Sequence, residues 1–535
     1  AMGRTGDWMV RNGNIRVLVR DAGRVHSFFV TNGGHILDAD LQRDDPSQDR
    51  DNWQGMQALL HLASTQNTTA VVVLNDGSDG NPAIVRTSGP DDLLDVLTPD
   101  MAIFSAGNTL STPPDTFDVN HPFYLTTDYI LRPDTNYVQV ATTVENQGAT
   151  DMDIHVGDYL NPGGQVEAFG PGLGFGQPML RLGGAGSPFR PQGLDHLSFQ
   201  GHADARGVTY GMVFPRSPIQ TGTNTFVDGT HLTGVFAQSS IHVWVDRTQL
   251  VQVLNAPPLS KPTPPFHVPA GGTNTLRRWF VVGETVSDVT KAREDLFGNK
   301  YAVIQGVVTS GGQPVADAHV AFYSPLGNNC AFAGGENCVN VFSATLTDEK
   351  GFYRGYVPDG WWRVAVRANG YPYEGGAAEP VEHILKIKSK KTYTVDVDLP
   401  QTGSFNVAIV DQGGNPIAGK VSIVGIDPSP DPGNIDSIAG FIDAYGRYFG
   451  YDSEEKDVDM WGIVDVRFAD HSGATGSIEL EPGNYHLVVS HGPEYDVYDQ
   501  PLTITAGQET VVNAVVNQVV DTGGFVSIDT HVHMI

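Results

Sequence analysis

Two stretches of this chain run to one plan, and that repetition constrains the fold more than any other feature. In the first, Val303-Ile304-Gln305-Gly306-Val307-Val308 leads through Gly311-Gly312-Gln313-Pro314-Val315 into Ala318-His319-Val320-Ala321-Phe322-Tyr323. In the second, Phe405-Asn406-Val407-Ala408-Ile409-Val410 leads through Gly413-Gly414-Asn415-Pro416-Ile417 into Lys420-Val421-Ser422-Ile423-Val424. Alternating apolar runs joined by a Gly-Gly-x-Pro turn read as strand, turn, strand, and the recurrence reads as a repeated β-sandwich module. Residues 299–401 are expected to form the first module, with Thr347-Asp348-Glu349-Lys350-Gly351 as a turn and Trp361-Trp362-Arg363-Val364-Ala365-Val366 closing a hairpin. Residues 402–520 are expected to form the second, interrupted by an acidic, Gly-rich insertion over 427–469.

The preceding residues, 1–298, read as one large β domain. Asn14-Ile15-Arg16-Val17-Leu18-Val19 and Tyr137-Val138-Gln139-Val140-Ala141-Thr142-Thr143-Val144 alternate as half-buried strands do. Glycine clusters punctuate them at 75–80, 163–164 and 170–174. Thr285 to Phe297 is the clearest helix, and Gly298 follows where a C-terminal cap belongs. A linker and one strand, 521–535, close the chain.

The chain has 535 residues, 32 basic against 61 acidic, for a net charge of −29. That balance disfavours nucleic acid and anionic membrane surfaces as partners. No apolar run is long enough to span a bilayer, and the opening residues lack a charged-then-apolar signal segment, as expected where a leader has been removed or the sequence begins internally. The expected setting is secreted, extracellular or cell-surface, with the periplasm as an alternative. Cys330 and Cys338 are read as a loop disulfide of an oxidising compartment, with free thiols the alternative.

Chemistry is concentrated at Asp529-Thr530-His531-Val532-His533. On a strand these three side chains share a face, and two imidazoles so spaced can hold one divalent ion, Zn, Mn or Fe. A catalytic site needs further ligands and an open position, so this is a partial site, with Asp529 as ligand or orienting group. No catalytic residue is assigned in this chain. Asp452, Glu454, Glu455, Asp457 and Asp459, and Asp44, Asp45, Asp49 and Asp51, lack calcium-loop spacing, so solvated loops are preferred to calcium sites. Asp76, Asp79 and Asn81 read as turn chemistry. Of the adjacent Trp361 and Trp362, one belongs to the core. The other is read as an interdomain contact, with stacking on a carbohydrate or surface polymer the alternative. Neither a Gly-x-Ser-x-Gly elbow nor a phosphate loop occurs.

Several of these segments resemble known families. The first module is similar to the carboxypeptidase regulatory-like domain, which implies an immunoglobulin-like fold. Val144-Glu145-Asn146-Gln147-Gly148, Gly157-Asp158-Tyr159 and Phe169-Gly170-Pro171-Gly172 resemble super-sandwich domains related to galactose mutarotase. Glu481-Pro482-Gly483-Asn484-Tyr485 with Gly492-Pro493-Glu494-Tyr495, the linker Val519 to Val526, and the Asp529-x-His531-x-His533 ending together resemble the CehA/McbA family of secreted metallohydrolases. Family members often carry Arg where His491 stands. The resemblance implies a PHP-type α/β barrel beyond Ile535, His531 and His533 as metal ligands, and metal-assisted hydrolysis by the parent protein. His491, Glu494 and Tyr495 are read as a structural turn.

The expected architecture is thus all-β and multidomain: a super-sandwich, two immunoglobulin-like sandwiches, and the first strand of a metal-binding barrel. The expected role is an accessory region of a metal-dependent, phosphoesterase-like hydrolase, inactive by itself. The alternative is a structural or adhesive extracellular protein that self-associates through its β-domains.

Overall fold

The computed structural model describes residues 3–523 apart from 24–31, 51, 61–63, 94–120, 155, 164–165, 172–173, 177–194, 202–205, 216–217, 221–225, 237–238, 247–265, 325–339, 369, 378–380 and 426–462. The architecture is all-β, in two compact units that divide at Asn299 and Lys300. No helix among the described residues is long and apolar enough to cross a membrane.

The first unit is a super-sandwich of antiparallel strands. One run of pairings goes from Ala70–Asn75 through Ala83–Leu93, Phe123–Leu131, Tyr137–Asn146, Thr273–Gly283 and Thr209–Val213 to His196–Gly201 and Val166–Gly170. A second goes from Trp8–Arg11 through Ile15–Val19, Ile36–Leu41, Gly55–Leu60 and Val156–Asn161 to Ser239–Asp246 and Phe226–Phe236. Strict alternation makes the core. Phe123, Leu125, Thr127, Tyr129 and Leu131 of one strand face inward, as do Val138, Val140, Thr142 and Val144 of its neighbour.

The helix Val286–Leu296 lies against the strands His196–Gly201, Thr209–Val213 and Thr273–Gly283. Its N-terminus is capped by the Asp288 carboxylate, which accepts the Thr285 N–H at 3.0 Å. Gly298, at φ 68°, ends it, with the Asn299 N–H returning to the Glu294 carbonyl at 2.9 Å. Gly211 allows the close approach: a Cβ there would fall 2.4 Å from Val289 Cγ1.

The second unit contains two sandwiches of one topology. In the first, Tyr301–Ser310 pairs antiparallel with Phe352–Pro358 and parallel with Val397–Leu399. In the second, Gly403–Val410 pairs antiparallel with Ala474–Leu480 and parallel with Glu509–Val515. The facing sheets also correspond. His319–Ser324 lies between Asn340–Leu346 and Gly360–Arg367, with His383–Ile387 outside. Gly419–Gly425 lies between Ile463–Ala469 and Gly483–Ser490, with Tyr498–Ile504 outside. The Gly-Gly-x-Pro turns match too: Gly312 and Gly414 adopt φ 79° and 81°, a conformation glycine takes without steric cost.

One boundary differs from the sequence reading. Residues 463–469, placed in the insertion, form a paired strand, because Ile463-Val464-Asp465-Val466-Arg467-Phe468-Ala469 alternates well enough to add to an edge. Each sandwich has its own apolar core, around Phe322, Tyr353 and Trp362 in the first and Phe405, Tyr485 and Leu487 in the second.

Candidate functional sites

A charged pair is buried at the centre of the first unit. Arg278 and Asp158 side chains are each 1% exposed. Arg278 Nε donates to Asp158 Oδ2 at 2.7 Å, and its Nη2 donates to Asp158 Oδ1. Nη1 donates to Thr142 Oγ1 at 2.8 Å. The chain of contacts continues from Thr142 to Thr127 at 3.1 Å, then to Gln66 Oε1 at 3.0 Å, whose amide nitrogen reaches Thr68 and Thr87, each at 2.9 Å. Strand register explains the line. Thr127 sits between Leu125 and Tyr129, Thr142 between Val140 and Val144, Asp158 between Val156 and Leu160, and Arg278 between Leu276 and Phe280. In each case one apolar neighbour belongs to the cluster with Trp53 and the other to the cluster with Phe266. The polar seam therefore divides the core in two. Its members hydrogen-bond one another, which offsets the cost of taking them out of water.

A second polar cluster docks the helix. Arg293 Nη2 donates to Asp195 Oδ2 at 2.6 Å, and His196 Nδ1 lies 2.7 Å from Asp195 Oδ1. Burial raises the Asp195 carboxyl, but the contacts from His196 and Arg293 outweigh it and hold the group well below the usual carboxylate range. His35 is a further buried histidine, 3% exposed. Burial lowers its pKa to about 4, against the raising effect of the Asn32 carbonyl 2.7 Å from Nδ1. Among the described residues its Nε2 has no hydrogen-bond partner, which fits the neutral ring.

In the second unit, the segment Glu481 to Tyr485 forms a joint between sandwiches. Arg367, 3% exposed, places Nη1 3.5 Å from the Glu481 carboxylate, donates to the Tyr371 carbonyl, and lies 4.7 Å over the Tyr373 ring. Tyr371 Oη donates to Glu479 Oε2 at 2.6 Å, and Tyr485 Oη donates to the Glu481 carbonyl at 2.7 Å. Glu481-Pro482-Gly483-Asn484-Tyr485 thus receives the preceding module. His491, Glu494 and Tyr495 form a turn. The His491 ring meets Tyr495 edge-on at 4.4 Å and bonds the Ala418 carbonyl through Nδ1, and the Glu494 carbonyl accepts the Val519 and Val520 N–H groups at 2.9 and 3.0 Å.

Trp362 is core, 6% exposed, with its indole N–H on the Pro358 carbonyl at 2.8 Å. Trp361 is 49% exposed, with Lys386 Nζ 5.5 Å from its ring centroid. The Lys388-Ser389-Lys390-Lys391 turn beside it carries one signal in the sequence, a cluster of lysines in a strongly acidic chain.

Asp529, His531, His533, Cys330, Cys338, Asp51 and the acidic stretch Asp452 to Asp459 lie outside the described residues. Asp45 accepts the Ser47 N–H at 2.9 Å, Asp49 pairs with Arg16 at 2.7 Å, and Asp76 and Asp79 accept the Ser78 and Asn81 N–H groups, each at 2.9 Å. Among the described residues, no three His, Cys, Asp or Glu side chains are grouped to hold a metal ion.

No protein-family model matches the chain, and no curated protein matches it. Solved structures similar to it include the shaft pilin SpaA from Lactobacillus rhamnosus GG, 13% identical over 42% of this chain and 98% of that one, TM-score 0.25. They also include a Streptococcal ancillary pilin, 12% identical over 54% of this chain and 80% of that one, TM-score 0.22. GBS52, the minor pilin of Streptococcus agalactiae, is 14% identical over 44% of this chain and 100% of that one, TM-score 0.21. At these TM-scores the likeness is one of β-rich character alone.

Proposed function

We propose that this chain is an extracellular structural or adhesive protein whose β-modules join neighbouring copies through open sheet edges. The supporting observation is the edge strand Ala70–Asn75. Among the described residues it pairs only with Ala83–Leu93. It reads Ala-Val-Val-Val-Leu-Asn, with Val72, Val73 and Leu74 exposed at 46%, 40% and 50%. An edge of this kind ordinarily carries Lys or Pro, because bare N–H and C=O groups recruit a further strand. Here no charged residue occurs from Asn67 to Asn75 in a chain of net charge −29, and the ladder shifts register between Val73 and Asn75. The second unit has a counterpart. Glu509–Val515 pairs only with Gly403–Val410 among the described residues and exposes Val511 and Val515. Two apolar edges on one chain suit pairing between copies.

Sedimentation velocity over a range of concentrations tests this. The native chain is expected to form larger species as concentration rises, and Val72→Lys with Val511→Lys to remain monomeric. A native chain that stays monomeric throughout refutes the proposal.

A second reading is favoured by the Asp529-x-His531-x-His533 motif: the same modules scaffold a metal-dependent hydrolase. Its test is zinc, manganese and iron content of protein from its native source. Metal retained by the native sequence and lost in His531→Ala/His533→Ala supports it, and equal content in both refutes it.

A further inference from the structure

The outer face of the sheet containing Gly360–Arg367 ends in a patch that the edge-pairing proposal does not use. Along that strand Trp361, Arg363 and Arg367 point away from the core, while Trp362, Val364 and Val366 point into it. Arg367 is covered by the second sandwich, and Arg363 is held by Glu382, which also accepts the Tyr323 hydroxyl at 2.5 Å. Trp361 is left open at the far end. It stands directly across from Lys386, next to the exposed Ile384.

The turn that follows Lys386 is built to present charge. Lys388 N–H donates to the Tyr393 hydroxyl at 2.9 Å, Lys390 N–H to the Tyr301 carbonyl at 2.8 Å, and the Lys391 carbonyl accepts the Val303 N–H at 2.9 Å. Lys390 takes φ 62°, an unusual conformation for a residue with a side chain. Ser389 donates through both N–H and hydroxyl to Asp359. Asp359 lies in the fields of Lys300 and Lys388 and holds its charge below the usual carboxylate range, chiefly through the Ser389 bonds. With the backbone so tied, the Lys386, Lys388, Lys390 and Lys391 side chains are all exposed. No acidic residue occurs from His383 to Val395.

We propose that Trp361 and the lysine turn bind an anionic polysaccharide, of the uronate-bearing class. The open indole offers a flat apolar platform for the C–H face of a sugar ring, and the ammonium groups pair with its carboxylates. The patch supplies Lys point charges rather than the Arg forks that suit phosphate, which favours this ligand over a nucleic acid. The proposal goes beyond edge pairing and is independent of it.

The test is affinity electrophoresis and calorimetry of the full chain with polygalacturonate, a neutral galactan and oligothymidylate as probes. Polygalacturonate is expected to bind, with affinity falling as salt rises. Trp361→Ala is expected to weaken binding by about tenfold or more, in line with loss of one stacking contact. Lys388→Gln/Lys391→Gln is expected to weaken it and flatten the salt dependence. Both variants lie on the surface, and circular dichroism checks that they fold. The proposal is overturned if polygalacturonate fails to bind, if neither variant changes its binding, or if oligothymidylate or the neutral galactan binds more tightly.

Discussion

Removing one member of the buried Arg278–Asp158 pair is the sharpest test of how the first unit is built. Asp158→Ala leaves the Arg278 guanidinium buried, with Thr142 Oγ1 at 2.8 Å and the Val140 carbonyl at 3.4 Å as neutral hydrogen-bond partners. Breaking a buried pair in this way costs about 3–5 kcal/mol, because the surviving charge is neither solvated nor paired. Set against about 5–15 kcal/mol of total stability, that is a large fraction. At roughly 2 °C per kcal/mol for a large domain, the unit's melting temperature should fall by about 6 °C or more. The compensating variant Asp158→Leu/Arg278→Met removes both charges and should recover most of the loss, since apolar replacement of a buried pair is often neutral or better. The assay is calorimetry with near-ultraviolet circular dichroism. Trp53, 1% exposed and packed 4.7 Å from Phe280, reports on the adjoining apolar cluster. A loss below about 1 kcal/mol for Asp158→Ala, the size of a surface pair, would refute the reasoning.

Three further outcomes are expected. His35 has a folded pKa of about 4, below the ordinary value of about 6.5, so its contribution is intact above pH 6.5 and is lost as pH falls toward 4. The loss amounts to about 3 kcal/mol, and His35→Phe should flatten the stability profile over that window in denaturant titrations, whereas an unchanged profile counts against the assignment. Asp195 has a depressed pKa, so its contribution persists above the ordinary carboxylate value and disappears only in stronger acid; Asp195→Asn should reduce helix docking at pH 7, read by amide exchange in Val286–Leu296. Arg367→Ala removes the ion pair to the mostly buried Glu481 and should cost the second unit about 1–3 kcal/mol, with faster exchange at residues 479–485; exchange confined to residues near 367 alone would contradict the joint.

Much of the fold was legible because its signals are local. The Gly-Gly-x-Pro repeat and the alternation of Tyr137–Asn146 each depend on neighbours within a few residues, and the helix announces itself through Thr285, Asp288 and Gly298. The seam was not legible. Asp158 and Arg278 are 120 residues apart, and either alone reads as an ordinary surface charge until register places it between two apolar neighbours. Arg367 and Glu481 are hidden in the same way, 114 residues apart in the chain and joined only by the packing of the two sandwiches. The strand Ile463–Ala469 is masked in the sequence because two charged residues, Asp465 and Arg467, stand on the face it shares with Val421 and Ile423, where an apolar pattern is expected, beside an acidic stretch. The lysine turn was visible all along as composition, but only its place beside an exposed Trp361 gave it meaning.

The most direct test of edge pairing is hydrogen exchange at the amides of Ala70–Asn75 as a function of protein concentration. Pairing between copies predicts that open-edge amides of this strand exchange quickly in dilute solution and become protected as the protein is concentrated, with Val72→Lys abolishing the change. Exchange at these amides that is fast and independent of concentration would contradict it.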